Sequence, residues 1–245
     1  MKIIILIITC KLEPYISLTD TIKNTWAYEN FDNIDIYYCY GDSEKLYVEN
    51  NEIYCPCNDN EKNIGNKTLM SFEWLLNNKK FDYIFRSNTS SYINQKKLLE
   101  FITDKPINNF YSGIIGYDNE EKIYFASGSG YFLSRDLVKL VVDNKNILDY
   151  NILDDVALGK FLTKYQIINY PFYRRLNIEI SESGYLKIYR AELLPDEKEK
   201  ICNENKILEN LTLDDFNNDT YHFRCKCCNR YDDIKIMKKL HQLLT

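Results

Sequence analysis

The sequence predicts an α/β protein: one sheet flanked by helices on both faces. Three observations carry the prediction. Short apolar runs alternate with segments of helical spacing before a mixed region begins. The first run, Ile3 to Ile8, is continuous and rich in isoleucine, as suits a parallel strand covered on both faces. The hydrophobic content of 45% in 245 residues is ample for a core, and the length suits one α/β domain or one with a small appendage.

The elements follow in order. Lys2 to Thr9 reads as the first strand, and Leu18, Ile22 and Trp26 place one apolar face on a helix from Leu18 to Tyr28. Ile34 to Tyr40 is a second strand, closed by Gly41-Asp42, and Ile53 to Cys55 a short third. Leu69, Phe72 and Leu76 align on a helix from Ile64 to Leu76. Tyr83 to Arg86 is the next main strand, followed by a helix from Asn94 to Ile102 that stops near Lys105-Pro106. Phe110 to Ile115 and Lys122 to Phe125 read as strands around the turn at Tyr117. Gly128-Ser-Gly130 reads as a flexible point before Tyr131 to Leu133. The Ser134 hydroxyl is placed to cap a helix reaching Val142. Asp154 and Asp155 open a helix to Lys164, where the helix dipole favours negative charge. After Pro171 the pattern weakens. Tyr185 to Tyr189 and Tyr221 to Arg224 read as strands, and Asp232 to Leu244 as a closing helix.

The net charge of −5 gives no global attraction to nucleic acid or to an anionic membrane, so any anion site is local. The first apolar run is too short for a membrane helix, and no small-residue cleavage site follows it, so the expectation is a soluble, cytoplasmic chain with no membrane span. In that compartment the eight cysteines are free thiols. A zinc site built from His222, Cys225, Cys227 and Cys228 with Cys55 and Cys57 lacks the paired spacing such sites use. Asn-x-Ser/Thr triplets at Asn66, Asn88, Asn210 and Asn218 matter only in a secreted chain.

Several motifs, taken in order, resemble the β-1,3-glycosyltransferase and Fringe-like family of the GT-A fold. Thr21-Ile-Lys-Asn-Thr25-Trp26 resembles that family's "IR-x-TW" helix, and Tyr38-Cys-Tyr40-Gly41 its second strand end. Asn66-Lys67-Thr68-Leu69 through Trp74 is similar to "LKT…W". Arg86-Ser-Asn88-Thr89-Ser90-Ser-Tyr92-Ile-Asn94 aligns with "KTDDDVYVN", Gly128-Ser129-Gly130 through Asp136 with "GSGYVLSRD", and Asp154-Asp155-Val156 through Gly159 with "EDVYVG". The likeness covers about Lys2 to Leu162. It implies a GT-A, Rossmann-like, mixed and mostly parallel sheet flanked by helices. It further implies a single glycosyltransferase domain over residues 1–245, whose part 171–245 completes the donor site.

The resemblance also implies roles. Asp155 matches the general base that deprotonates an acceptor hydroxyl for inverting transfer of a hexosyl or N-acetylhexosaminyl group. Asp154 is its structural or substrate-binding partner, and Gly128, Ser129 and Gly130 let the backbone approach the sugar or acceptor. The family's acidic triplet holds Mn²⁺ or Mg²⁺ against the donor diphosphate. Here the position reads Asn88-Thr89-Ser90, with no carboxylate. Location is transferred and the metal is not, so no metal cofactor is expected, with Mn²⁺ or Mg²⁺ the alternative. Other cations must then meet the diphosphate: Arg224 and Lys226, on one face of a strand with His222 beside them; Arg174-Arg175; and Arg86. Thr9, past the first strand, lies where such folds bind ligands, and with Arg86, Asn88 and Ser90 makes up the donor set. The expected partners are a nucleotide sugar, UDP-linked by resemblance, and a glycan or protein hydroxyl. A catalytically inactive sugar- or nucleotide-binding protein on the same fold remains the other reading.

Overall fold

The computed structural model describes residues 1–29, 31–149, 151–170, 173–190, 206–216 and 218–245. Residues 191–205, within the predicted C-terminal part, and Cys202 lie outside them. The strands are β1 (Ile3–Ile8), β2 (Ile34–Tyr40), β3 (Tyr47–Glu49), β4 (Glu52–Tyr54), β5 (Tyr83–Asn88), β6 (Ser91–Ile93), β7 (Tyr111–Asp118), β8 (Ile123–Ser134), β9 (Arg175–Ile180), β10 (Leu186–Arg190) and β11 (His222–Cys225). The helices are α1 (Tyr15–Lys23), α2 (Ile64–Asn78), α3 (Gln95–Ile102), α4 (Arg135–Asp143), α5 (Asp154–Lys164) and α6 (Arg230–Leu244). No helix among the described residues is long and apolar enough to cross a membrane.

The chain folds into two compact units that interleave in sequence. The first comprises Met1–Lys11, Asp32–Asn88 and Lys105–Pro171; the second, Leu12–Phe31, Thr89–Asp104 and Phe172–Thr245. The first unit holds a seven-stranded sheet of order β3-β4-β2-β1-β5-β8-β7. β4, β2, β1 and β5 pair in parallel; β3 and β8 run antiparallel to their neighbours, so β7 returns to the common direction. The sheet is therefore mixed and mostly parallel, as predicted. Its centre is β1, buried along its whole length, which explains its unbroken apolar run. Ile4, Leu6 and Ile8 share a core with Leu69, Phe72 and Leu75 of α2, Val138 and Val141 of α4, and Leu158, Phe161 and Leu162 of α5.

Two local expectations are corrected. Gly128-Ser-Gly130 is not a break between strands: β8 runs through it to Ser134. What the glycines permit is a bulge. Gly113 pairs with Tyr131 but Ile115 already pairs with Ala126, so residues 127–130 stand out of the ladder with β7. Nor does Ser134 cap α4 with its side chain; its hydroxyl accepts the Phe110 N–H at 2.9 Å instead.

The second unit holds a four-stranded sheet of order β10-β9-β11-β6, with β9 and β11 parallel. Alternation puts Leu176, Ile178, Phe223 and Cys225 on one face, and α6 packs against β6, β9 and β11. The other face carries Arg175, Asn177, His222 and Arg224. Asp233 anchors the start of α6: it accepts the Cys227 N–H at 2.7 Å and pairs with Arg230.

Two predictions follow from this packing. A Cβ at Gly159 in α5 meets the Cβ of Phe125 at 2.5 Å and its Cα at 3.0 Å. Gly159→Ala gains about 1 kcal/mol of helix propensity but forces α5 off β8, at a cost of about 1–3 kcal/mol. A net fall in Tm of a few degrees is expected by thermal unfolding; a rise shows that the contact yields freely. Burial pushes the Asp233 carboxyl up to about 6, against the opposing pulls of Cys227 and Arg230. The folded state thus binds this proton more tightly than the unfolded one. Its stabilising contribution is full below the ordinary value of 3.8 and is lost as pH rises through about 6. The stability difference between the natural chain and Asp233→Asn should shrink across that window in denaturant titrations; a flat difference contradicts the assignment.

Candidate active site

A buried polar cluster of the first unit lies where β5, the bulge of β8 and the start of α5 meet. Arg86, on β5, has a side chain only 3% exposed, and a charge buried that deeply needs a partner. Its guanidinium reaches Asp154 Oδ2 at 2.6 Å and donates to the Gly128 carbonyl. The Tyr131 ring lies 5.7 Å from the guanidinium. Burial opposes the Arg86 charge, but Asp154, Tyr131 and Asp155 together hold its pKa above the ordinary range. Burial pushes the Asp154 carboxyl up, Arg86 pulls it down, and Asp155 adds to the rise.

Asp155 has a different environment. Its Oδ2 accepts the Gly128 N–H at 2.6 Å and its Oδ1 the Val156 N–H at 3.0 Å. Gly128 is thereby clamped on both its polar groups. A Cβ there would meet Arg86 Nη1 at 2.8 Å and Asp155 Oδ2 at 3.1 Å, so glycine is required by proximity rather than by backbone angle. Beside it the Ser87 hydroxyl donates to the Ser129 carbonyl at 3.0 Å, and Gly130 pairs with Ser87. Neither aspartate caps α5 as a simple helix start would have it; Leu153 takes the cap position without a side-chain bond.

At the carboxyl end of β1, the Thr9 carbonyl accepts Lys67 Nζ at 2.6 Å. Lys67, buried on α2, also pairs with Asp59, which accepts the Gly41 N–H at 2.9 Å. Lys67 was legible only as part of the "LKT" likeness; its spacing with Ser71 and Leu75 on a buried helix face is the signal that it points inward. Asn88 ends β5 opposite Ile8.

The structure therefore brings together Arg86, Gly128, Ser129, Asp154 and Asp155 of the predicted set. Ser90, Arg224 and Lys226 belong to the second unit. There the Ser90 hydroxyl accepts Arg230 at 3.0 Å, and its carbonyl the Cys225 N–H at 2.6 Å. Arg224 shares a sheet face with His222 and Arg175, whereas Lys226 lies just past the end of β11 and is exposed. Burial and the Arg224 charge push Arg175 down to about 9. His222 is held neutral, well below its ordinary range, first by burial and then by the two arginines. Its ring bonds Ser91 and Tyr173, each at 2.9 Å, which removes it from any zinc site. Among the described residues no group of three or more His, Cys, Asp or Glu side chains is arranged to hold a metal ion.

A pocket of about 530 Å³, its open mouth included, lies in the first unit beside this cluster, bounded by residues of α2, α4 and α5. Asp154 and Tyr131 line it, which links it directly to Arg86.

No protein-family model matches the sequence, and no curated protein does. Among solved structures, the chain is similar to a glycosyltransferase involved in glycosylation of the major capsid of PBCV-1. The two are 12% identical, with 97% of this chain and 99% of that one covered, at a TM-score of 0.54. It is also similar to the galactosyltransferase LgtC in complex with donor and acceptor sugar analogs, at 11% identity, 73% and 76% coverage and a TM-score of 0.41. The first likeness establishes the fold as that of GT-A-type glycosyltransferases.

Removing Arg86 tests the cluster. Arg86→Met leaves Asp154 buried without its cation and should destabilise the chain by about 3–5 kcal/mol. Adding Asp154→Asn should recover part of the loss. Denaturant unfolding of the single and double variants decides; additive losses mean that the pair is not coupled.

Proposed function

We propose that the chain is an inverting glycosyltransferase that moves a hexosyl or N-acetylhexosaminyl group from a UDP-linked donor to a glycan or protein hydroxyl, without a metal ion. One observation carries the reading. Asp155 stands at the start of α5, held by two backbone amides and next to a carboxylate already neutralised by Arg86. It is thus the member of the pair left to accept a proton. In the proposed step Asp155 takes the acceptor's hydroxyl proton while that oxygen bonds to the anomeric carbon. The bond from this carbon to the phosphate oxygen breaks on the opposite side, and the electron pair leaves with the nucleotide diphosphate. The fold shared with the capsid glycosyltransferase and the ordered likeness to the Fringe-like family support the reading.

The residues at the family's metal position do not fit a divalent ion. Asn88, Thr89 and Ser90 offer neutral oxygens, and the Ser90 hydroxyl accepts from Arg230. Arg224 and Lys226, with Arg175 beside Arg224, are the proposed cations for the diphosphate. Thr9 and Asn88 are proposed donor contacts at the strand ends.

The test is calorimetric titration of UDP with EDTA and again with Mn²⁺. Equal binding in both is expected; binding only with Mn²⁺ removes metal independence, and no binding in either favours the inactive reading or another nucleotide. Arg224→Ala with Lys226→Ala should weaken UDP by more than tenfold, about 1.4 kcal/mol. Asp155→Asn should abolish transfer with donor affinity nearly intact; a variant that still transfers removes the base assignment.

A further inference from the structure

A thiol pair of the first unit takes no part in the proposed transfer. Cys39 lies on β2 and Cys55 one residue past β4. Cys39 pairs with Ile53 in the parallel ladder, and Cys55 follows Ile53 by two residues, so both side chains leave the same face of the sheet. Both are fully buried in the core that faces α2. There the two sulfurs border the same pair of oxygens. The Ser71 hydroxyl lies 3.1 Å from Cys39 Sγ and 3.9 Å from Cys55 Sγ. The Lys67 carbonyl lies 3.5 Å from the first and 3.6 Å from the second. Burial opposes a Cys39 thiolate, yet the Cys55 thiol, the Lys67 charge and the Ser71 hydroxyl together hold its pKa below the ordinary thiol range. Cys55 is pushed up, first by Cys39 and then by burial. A sulfur that ionises more readily thus stands beside one that holds its proton, the division of roles that thiol oxidation uses.

We propose that Cys39 and Cys55 are a redox-active pair, joined as a disulfide by a hydroperoxide. The Cys39 thiolate takes the terminal oxygen of hydrogen peroxide. The O–O bond breaks, and the hydroxide that leaves becomes water with the proton that Cys39 released. The Cys55 sulfur then attacks the sulfur of the Cys39 sulfenic acid, and the displaced hydroxyl departs as water with the Cys55 proton. The thiols lose two electrons and two protons, and one peroxide becomes two waters. Entry is at the sheet edge. On its outer side β4 is covered only by the three-residue strand β3, whose side chains are exposed or half-buried, so a small oxidant needs only a local opening there. The oxidation bears on Lys67. Joining the sulfurs draws them off the Ser71 and Lys67 oxygens, on the turn of α2 that also carries the Lys67 ammonium. The Lys67–Asp59 pair, and the Gly41 N–H that Asp59 accepts, must adjust.

The experiment is non-reducing peptide mapping by mass spectrometry on the full chain. The folded chain is treated with hydrogen peroxide, and the remaining thiols are then blocked with N-ethylmaleimide in denaturant. A linked Cys39–Cys55 peptide, two hydrogens lighter than its parts, should form before any other disulfide, and dithiothreitol should remove it. Cys55→Ala should instead leave Cys39 with oxygen added. The Gly41 amide signal in NMR should shift on oxidation and return on reduction. Linkage confined to Cys10, Cys57 or Cys228, or a Cys39–Cys55 link that forms only in the unfolded chain, overturns the pair. A Gly41 signal that stays in place while the link forms overturns the coupling to Lys67. None of these readouts uses UDP, so the inference stands or falls apart from the transferase reading.

Discussion

The buried charge of Arg86 is the constraint on which the candidate site depends. A guanidinium placed on the strand beside the central one has no water to solvate it, so the fold must bring it an anion and hydrogen-bond acceptors. Asp154 is the anion, and the Gly128 carbonyl is an acceptor. These partners are 68 and 42 residues away in sequence, so satisfying one side chain fixes the start of α5 and the bulge of β8 against β5. Such a pair adds little to net stability, because desolvation offsets most of its attraction. What it adds is specificity of arrangement, since any register that separates the charges is heavily penalised. The requirement for glycine at position 128 has the same origin: the cation and a carboxylate close in on the backbone from the side that a Cβ would fill.

The same logic recurs at the end of β1. Lys67 is buried on α2 and is satisfied by Asp59 and by the Thr9 carbonyl, so the segment carrying Asp59 is tied to the strand end. Both buried cations of the first unit thus organise backbone near or beyond strand ends, where open α/β sheets bind ligands. In the second unit Arg175 and Arg224 share a face with a histidine kept neutral, and burial together with the Arg224 charge holds Arg175 low.

Where local pattern decides structure, the sequence was readable. β2 and α5 fall on their predicted bounds, because an apolar run closed by Gly41 and a pair of aspartates before a periodic segment are local signals. β6 and β9 were missed. In Arg175-Leu-Asn-Ile-Glu-Ile the alternation is complete, but its polar members Arg175 and Asn177 are buried, so the segment does not read as one half of a sheet facing water. The glycines of β8 were read as a hinge because glycine weakens a strand, whereas here a bulge uses them. Of the site, the aspartates and glycines were placed by resemblance. The partner of Asp154 was not legible, since Arg86 lies far away in the chain and its sequence position alone marked it only as a spare cation for phosphate.

Two identical neighbours, Asp154 and Asp155, show how environment assigns roles that sequence leaves equal. Successive residues on a helix point about 100° apart, so at the first turn of α5 one carboxylate turns to the Arg86 guanidinium and the pocket, the other to the Gly128 amide. The first is deeply buried and charge-paired, so its protonation is tied to that of Arg86. The second accepts the backbone amides of Gly128 and Val156, which hold it in place, and its charge also acts on Arg86. A carboxylate fixed in position is what the proposed proton acceptor needs. The Arg86 guanidinium therefore does more than close the fold: by taking Asp154 as its direct partner it leaves Asp155 turned to the backbone of Gly128, the placement that the proposed base requires.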